Sequence, residues 1–238
     1  MKISVCMAAY NGERYIKVQI ESILNQLGPE DQLVIVDDKS TDSTVNVIRK
    51  FEDTRINLII NQRNMGVAQT FNRALKEANG EIIFLSDQDD RWHKNKIEFS
   101  TKIFSLQNVD LMVHNALVVR DGKVADINLF EMIGSSSGII KNIYKNTFTG
   151  CCMAFKRNVL QDILPIPTRI GIFHDAWIGV MAQHLGYKVK FVSTPLIDFN
   201  RHGNNASSMK RRNIIVALYD RILFILALTL RIIFKKFI

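Results

Sequence analysis

Short apolar runs alternate with amphipathic segments along the first part of the chain. Near-continuous hydrophobic stretches predict strands, and apolar residues that recur every three or four positions predict helices. The predicted strands are Ile3–Ala8, Gln32–Val36, Ile56–Asn61 and Glu81–Leu85, and the predicted helices are Tyr15–Leu27, Ser43–Phe51 and Val67–Asn79. This alternation predicts an α/β fold with a mostly parallel, Rossmann-like central sheet that is covered by helices on both faces.

The pattern changes after residue 108. Strands are predicted near Leu111–Val119 and Thr149–Phe155, a Gly/Ser-rich loop lies at 134–138, and a helix is predicted near Ala176–Leu185. We therefore divide the chain into residues 1–108, residues 109–208 as a second half of the same domain, and a tail at 209–238.

The tail predicts an amphipathic helix with basic ends. Its longest uncharged apolar stretch, Ile222–Leu230, is far shorter than the ~20 residues that a transmembrane helix needs. Helical periodicity places a mostly polar set of residues on one side: Asn213, Asp220, Ala227, Arg231 and Lys235. The Ile, Leu and Phe residues lie on the other sides. Apolar surface flanked by Lys and Arg favours a helix lying in an anionic membrane interface. The alternatives are packing on the domain, a dimer contact or a tilted insertion.

Composition narrows the possible partners and the compartment. The chain has 238 residues, 31 Lys and Arg against 23 Asp and Glu, and a net charge of +8, which favours an anionic partner. No nucleic-acid-binding motif is present, so we expect no nucleic-acid partner. Cys6, Cys151 and Cys152 do not form a disulfide framework, and we expect reduced thiols in the cytoplasm. The N-terminus predicts a strand rather than an export signal.

The polar motifs follow the predicted strands. These motifs are Ala9-Tyr10-Asn11-Gly12, Asp37-Asp38 and Asp87-Gln88-Asp89. Ligands of open α/β sheets bind at the carboxyl ends of the strands, so this placement favours a nucleotide site. An Asp-x-Asp pair offers the hard oxygen ligands that Mg²⁺ or Mn²⁺ prefers. The alternative is a solvated, Asp-rich turn.

Several segments together resemble the family 2 glycosyltransferases, which have the GT-A fold. The segments are "MAAYNGERYI" at 7–16, "VIVDDKSTDST" at 34–44, "NMGVAQTFNRAL" at 64–75, "FLSDQDDRWHKNKIE" at 84–98, "TGCCMAF" at 149–155 and "HDAW" at 174–177. They keep the order and spacing of the family across about 200 residues. "SDQDDRW" and "RHGNNAS" are most similar to the branch with bacterial rhamnosyltransferases.

The resemblance implies that residues 1–108 bind a nucleotide sugar. The implied nucleotide-binding residues are Ala8, Ala9 and Tyr10 against the base, Asp38 on a pyrimidine ring, Asn64 and Gly66 beside the nucleotide, and Asp87 on the ribose side. Tyr10 is alternatively a core aromatic, Asp37 and Asp38 are alternatively cap or turn residues, and Asn-x-Gly is equally a turn signal. The family often has Thr or Ser in place of Ala8 or Ala9, so one hydroxyl contact is in doubt.

The resemblance also implies the metal, base and acceptor sites. Asp89 and His202 are the expected ligands of a divalent cation, Mn²⁺ or Mg²⁺, and Arg201 is a candidate phosphate contact. Asp175 matches the catalytic base, although a carboxylate at a helix start is also an ordinary cap. Trp177, Gly150 and Cys151 are the expected acceptor-binding residues, in the half at 109–208 that is expected to bind the acceptor. The alternatives are a helix-packing Trp for Trp177 and a lone surface His for His202.

These assignments predict an inverting, metal-dependent glycosyltransferase. Its donor is expected to be a UDP- or dTDP-linked sugar, and its acceptor a glycan carried on a membrane lipid. The enzyme is expected in the cytoplasm, attached peripherally to the cell membrane through the tail. Two alternatives stay open: a nucleotidyltransferase, which usually has a Gly/Arg/Lys-rich phosphate loop after the first strand, and a degenerate sugar-nucleotide-binding module.

Overall fold

The computed structural model describes residues 1–168, 173–203 and 214–235. The predicted boundary between the second half and the tail, at 208–209, lies outside the described residues, as does Asn213. The side chain of Lys235 is likewise not described.

The first part of the chain alternates strands and helices as the apolar pattern predicts. The elements are β1 Ile3–Ala9, α1 Ile16–Leu24, β2 Gln32–Asp37, α2 Thr44–Arg49, β3 Ile56–Ile60, α3 Val67–Glu77 and β4 Ile82–Ser86. Every residue of β4 is buried, and β1 and β2 are each buried at all but one position. Burial on both faces explains why these strands read as continuous apolar runs rather than as alternating patterns.

The remaining elements extend the same sheet. They are β5 Arg91–Trp92, α4 Lys96–Leu106, β6 Leu111–Arg120, β7 Lys123–Asn128, α5 Leu129–Ile133, α6 Ile139–Tyr144, a 3₁₀ turn at Gly150–Cys152, β8 Met153–Lys156, α7 Arg157–Ile163, α8 His174–His184, β9 Val189–Arg201 and α9 Ile214–Lys235. Strand β9 was not predicted. Pro195 lies where its register against β6 shifts, and such a residue breaks the local strand signal.

The strand order is β3-β2-β1-β4-β8-β6-β9-β5, with β7 paired to β6. Strands β1, β2, β3 and β4 are parallel, β8 is antiparallel to both β4 and β6, and β6 is parallel to β9. The mostly parallel sheet predicted from the sequence is therefore confirmed. Strands from both halves belong to one sheet, so the sheet shows no boundary between them. The division at residue 108 stays a prediction.

Register brings the motifs to one edge of the sheet. Ala9 pairs with Asp37 at the ends of β1 and β2, and Met7 pairs with Ser86 at the end of β4. The segments that follow β1, β2 and β4 therefore leave the sheet side by side.

Helix α9 packs on the domain through part of its surface. Phe224 and Leu228 are buried, and the Phe224 ring lies edge-on to the Trp177 ring at 6.0 Å between centroids. Among the described residues, no helix is both long enough and apolar enough to cross a membrane.

Candidate active site

The acidic loop after β4, residues 87–90, is held in place by the end of β9. The backbone nitrogen of Asn200 donates to Asp90 Oδ1 at 3.1 Å, and its side-chain Nδ2 donates to the Asp89 carbonyl at 2.7 Å. Asn200 lies more than a hundred residues further along the chain, so no local sequence signal pointed to it. It fixes the carboxylates of the loop relative to the sheet.

A buried lysine supplies positive charge behind this loop. Lys96, at the start of α4, has no exposed surface, and its Nζ donates to the Cys151 carbonyl at 2.9 Å and lies 4.0 Å from the centre of the Trp92 ring. Burial lowers the pKa of Lys96 to about 8, while the nearby thiols and the carboxylates of Asp90 and Asp87 act in the opposite direction. Sequence reasoning expected a metal to balance the acidic loop and missed this internal cation.

The carboxylates of the loop are crowded and poorly hydrated. Loss of hydration, together with the charges of Asp89 and Asp175, raises the pKa of Asp87 to about 7. Burial and the same kind of repulsion raise the pKa of Asp90 well above its ordinary value. A cation bound beside these two carboxylates would favour their ionised forms and lower both pKa values.

Asp89 and His202 face each other across the edge of the site. The His202 Nε2 atom lies 2.9 Å from Asp89 Oδ2, and the imidazole stacks on the Tyr15 ring at 4.4 Å between centroids and 8° between planes. This contact brings together the two residues that the sequence assigned to a metal, which are far apart in the chain. A surface histidine without a role does not fit this placement, although the ligand assignment itself stays a prediction.

The donor set fits a hard divalent cation. The ligand atoms of Asp87, Asp90 and Cys151 lie within 4.8 Å of one another, and Asp90 Oδ2 is buried without a regular hydrogen bond from the described residues. A hydrogen bond with Cys152, and burial, raise the pKa of the Cys151 thiol, so Cys151 stays protonated. The oxygen atoms of the aspartates are therefore the suitable ligands of this group for Mn²⁺ or Mg²⁺, and His202 as a ligand stays a prediction.

Asp38 organises the loop before α3. Its carboxylate accepts hydrogen bonds from Asn61 Nδ2 at 2.7 Å and from the backbone nitrogens of Met65 and Gly66, both at 2.8 Å. Gly66 has φ +84°, a conformation that glycine adopts without strain. Asp38 is 4% exposed and its carboxylate already accepts three hydrogen bonds, so it fixes this loop, and its contact with a base stays a prediction.

Asp37 is a turn residue. Its carboxylate accepts hydrogen bonds from the backbone nitrogen of Ser40, at 2.9 Å, and from the Ser40 hydroxyl. The turn interpretation that the sequence left open for Asp37 is therefore supported.

Tyr10 projects from the end of β1 and is tied to the acidic loop. Its side chain is 44% exposed, so the core alternative for this residue is wrong. Gln88 Nε2 donates to the Tyr10 carbonyl, and the Tyr10 nitrogen donates to Gln88 Oε1, both at 2.9 Å. Ala8 is half-buried, whereas the side chain of Ala9 is 2% exposed and has no surface for a base.

Asp175 begins α8 beside the acidic loop. Its Oδ1 accepts hydrogen bonds from Asn146 Nδ2 at 3.0 Å and from the backbone nitrogen of Ala176 at 2.7 Å, and the Gly150 backbone also bonds to this carboxylate. Loss of hydration raises the pKa of Asp175 to about 6. Its charge contributes to the raised pKa of Asp87, so Asp175 lies near the acidic loop, and its role as the base stays a prediction.

The 3₁₀ turn at Gly150–Cys152 connects the base to the acidic loop. The Gly150 backbone bonds to Asp175, and the next residue, Cys151, places its thiol beside Asp87. A Cβ atom at Gly150 would lie 2.5 Å from His174 Nε2, so the close approach requires glycine. Gly150 and Cys151 are both buried, so their effect on an acceptor is indirect.

The acceptor assignment of Trp177 is not what the structure shows. Trp177 is 1% exposed, its Nε1 donates to the Ile163 carbonyl at 3.0 Å, and its ring contacts Phe224. A buried ring with its polar atom already bonded has no face for a sugar. The packing alternative accounts for this tryptophan.

Solved structures with the same fold bind nucleotide sugars. Staphylococcus aureus TarS 1–349 in complex with UDP-GlcNAc superposes with a TM-score of 0.73 at 21% identity, covering 89% of this chain and 62% of that one. The mannosyltransferase PcManGT of Pyrobaculum calidifontis, in complex with GDP-Man and Mn²⁺, gives 0.61 at 22% identity over 81% and 54%. The chain spans 62% and 54% of the length of these two chains, and the structural class that it shares with them is the GT-A fold.

Sequence comparison narrows that class to one family. The model of glycosyl transferase family 2 matches residues 4–164, and the chain belongs to this family. The dTDP-rhamnosyl transferase RfbG of Shigella flexneri is 34% identical over 220 residues, which is 84% of this chain and 72% of that one. The UDP-Glc:alpha-D-GlcNAc-diphosphoundecaprenol beta-1,3-glucosyltransferase WfgD of Escherichia coli is 30% identical over 182 residues, or 76% and 70%. The resemblance stated from the motifs is confirmed, and nucleotidyl transfer loses its support.

Proposed function

We propose that this protein is an inverting, metal-dependent glycosyltransferase that moves a sugar from a nucleoside-diphosphate sugar to a glycan acceptor in bacterial surface-polysaccharide synthesis. The observation that supports the proposal is the turn at Gly150–Cys152: the Gly150 backbone bonds to Asp175, and the Cys151 thiol lies within 4.8 Å of ligand atoms of Asp87 and Asp90. A basic carboxylate beside a donor-binding acidic loop is what a single displacement requires.

The proposed reaction is one in-line displacement. The acceptor hydroxyl attacks the anomeric carbon, its proton passes to Asp175, and the bond from that carbon to the diphosphate breaks. Asp175 suits this role because a pKa of about 6 leaves it ionised at neutral pH, yet more basic than an ordinary aspartate. Asn146 holds the carboxylate in place through its Oδ1 atom.

Asp89 and His202 would hold the divalent cation, with Asp87 and Asp90 beside it. A bound Mn²⁺ or Mg²⁺ ion neutralises the charge that develops on a leaving diphosphate. The Mn²⁺ in the GDP-Man complex of the structurally similar mannosyltransferase supports this assignment. Before the ion arrives, Lys96 offsets part of the negative charge from within the protein.

The relatives indicate candidate substrates. A dTDP-rhamnosyl transferase and a UDP-glucose-dependent enzyme both resemble this chain, so dTDP-rhamnose and UDP-glucose are the first donors to test. The second relative acts on a diphosphoundecaprenol-linked sugar, which supports a lipid-linked acceptor for this enzyme too. We propose accordingly that the enzyme works at the cytoplasmic face of the cell membrane and attaches there through its tail.

Direct assay of sugar transfer tests the proposal. Purified protein is incubated with UDP- and dTDP-linked sugars, a GlcNAc-diphospho-lipid acceptor and Mn²⁺, and the product is analysed by mass spectrometry and by NMR at the anomeric centre. We expect transfer with inverted configuration, loss of transfer in EDTA, and loss in Asp175→Asn. Retained configuration, transfer of a nucleotidyl group, or donor binding without turnover on any acceptor would each refute the proposal.

A further inference from the structure

The two faces of α9 have the opposite polarity to those of an ordinary surface helix. Two of its charged residues bond to the domain: Arg221 Nε donates to the Tyr144 carbonyl at 2.8 Å, and Arg231 Nη2 donates to the Asp162 carbonyl at 3.3 Å. Its outward residues are apolar, with between 46% and 72% of each exposed: Ile215, Val216, Leu218, Tyr219, Ile222, Ile225, Leu226, Leu230 and Ile233. A helix on a water-facing surface normally places these residue types the other way round.

Helix α6 continues the apolar face of α9. Ile140 is 86% exposed and Tyr144 is 70% exposed, and their spacing of four residues puts them on one side of α6. The guanidinium of Arg221 lies 4.6 Å from the centre of the Tyr144 ring, which joins the two helices. The opposite side of α6 is fixed to the domain, because Asn142 is buried and Ile143 packs on the core.

We infer that the outer face of α9 and the Ile140–Tyr144 side of α6 form one surface that contacts an anionic lipid bilayer. We call this surface the apolar platform. The inference rests on the membrane association proposed above and adds α6, a separate element, to it. Large exposed apolar patches on a soluble domain mark sites of contact with a membrane or a protein.

Charge favours lipid over a second copy of the chain. The exposed α9 side chains of the platform are uncharged. Lys141 on α6, whose Nζ donates to the Gly134 carbonyl at 3.2 Å, and Lys145, which directly follows α6, are both exposed. In the sequence, Lys210, Arg211 and Arg212 precede α9, and Lys235 and Lys236 follow Phe234. Anionic headgroups attract such basic residues, whereas two copies of a chain with net charge +8 repel each other. The phenol rings of Tyr144 and Tyr219 suit the boundary between headgroups and acyl chains.

The platform also lies close to the base along the chain. Asn146, whose side-chain amide bonds to Asp175, follows Tyr144 by two residues. Contact of α6 with a bilayer would therefore place the base near the headgroup layer, where the sugar of a lipid-linked acceptor is presented.

Vesicle binding by matched variants tests the inference. The variants are Ile140→Glu/Tyr144→Glu on α6, Ile222→Glu on α9, and the control Leu106→Glu, which charges an 80% exposed leucine at the end of α4. Each folded protein is sedimented with phosphatidylcholine vesicles that contain or lack phosphatidylglycerol. We expect wild type and control to bind the anionic vesicles alone, and the α6 and α9 variants each to lose about tenfold or more in affinity.

Each result that contradicts the inference points to a different error. If only Ile222→Glu weakens binding, the role of α6 is overturned and the tail still contacts lipid. If wild type does not bind, or all variants bind equally, the platform does not contact lipid. If wild type instead sediments as a dimer that the α6 variant dissociates, the platform belongs to a second copy and the lipid assignment is wrong. Nucleotide binding is measured calorimetrically without vesicles on the same samples, so failure of the donor site would be seen independently.

Discussion

The hydrogen bond from Asn146 to Asp175 should set the pH at which the enzyme begins to work. A base must be deprotonated to act, so turnover should fall as the pH drops through about 6, the pKa of Asp175 in the folded protein. Asn146 Nδ2 donates to Asp175 Oδ1 at 3.0 Å and thereby favours the ionised form. Replacing Asn146 by Ala removes that donor, and the pKa of Asp175 should rise.

The size of the effect follows from the strength of one hydrogen bond to a charged group. Such a bond contributes about 1.5–3 kcal/mol, and about 1.4 kcal/mol corresponds to one pKa unit. The acid limb of Asn146→Ala should therefore move upward by about one to two units. Turnover at pH 6 should drop by about 5- to 50-fold relative to wild type, whereas at pH 8.5 most of it should return.

The assay is kcat against pH with saturating donor, acceptor and Mn²⁺. Asp175→Asn is the reference variant: above the acid limb of wild type it should lose roughly 10²–10⁴ in turnover, and it should show no acid limb of its own near pH 6. If turnover of Asn146→Ala falls by the same factor at every pH, and its acid limb lies at the same pH as in wild type, Asn146 only supports the local fold. A limb that persists in Asp175→Asn would place the base elsewhere.

Two further substitutions probe the support of the acidic loop. Lys96→Met leaves the buried Cys151 carbonyl without its donor and should lower the free energy of unfolding, measured by urea denaturation, by about 1–3 kcal/mol. The control Lys94→Met changes an exposed lysine and should alter the stability little. Equal stabilities of the two variants would show that the fold does not need the buried charge of Lys96. Gly12→Ala places a Cβ atom 2.1 Å from Gln88 Oε1 and should displace that side chain, which bonds to the Tyr10 backbone. We expect a loss of about tenfold in nucleotide affinity by calorimetry and an unchanged melting temperature. Unchanged affinity would mean that Gln88 does not position Tyr10 for the nucleotide.

The first half of the fold could be predicted because its signals are local. Strands β1, β2 and β4 are mostly apolar and almost fully buried, and each leads into a polar motif, so topology alone brings these motifs to one edge of the sheet. The base was found only through the family motif at Asp175, since a carboxylate at the start of a helix has no distinctive pattern of its own.

The supporting residues could not be predicted, because their roles arise from contacts between distant parts of the chain. Asn200 reaches residues 89 and 90 only once β9 has joined the sheet, and Lys96 is an ordinary helical lysine until Cys151 packs over it. The same holds for α9. Its periodicity indicated a polar side, but only packing against Trp177 shows that this side faces the domain.

Calorimetric titration of donor into wild type and Asp89→Asn, with and without Mn²⁺, tests the central claim most directly. The control is Asp126→Asn on β7, which makes the same chemical change at an exposed position of the sheet. We expect wild type and control to bind a UDP- or dTDP-sugar only when Mn²⁺ is present, and Asp89→Asn to lose that metal-dependent binding while keeping the melting temperature of the metal-free wild type. Unchanged, Mn²⁺-dependent affinity in Asp89→Asn would contradict the assignment of this carboxylate to the metal and, with it, the proposed donor site.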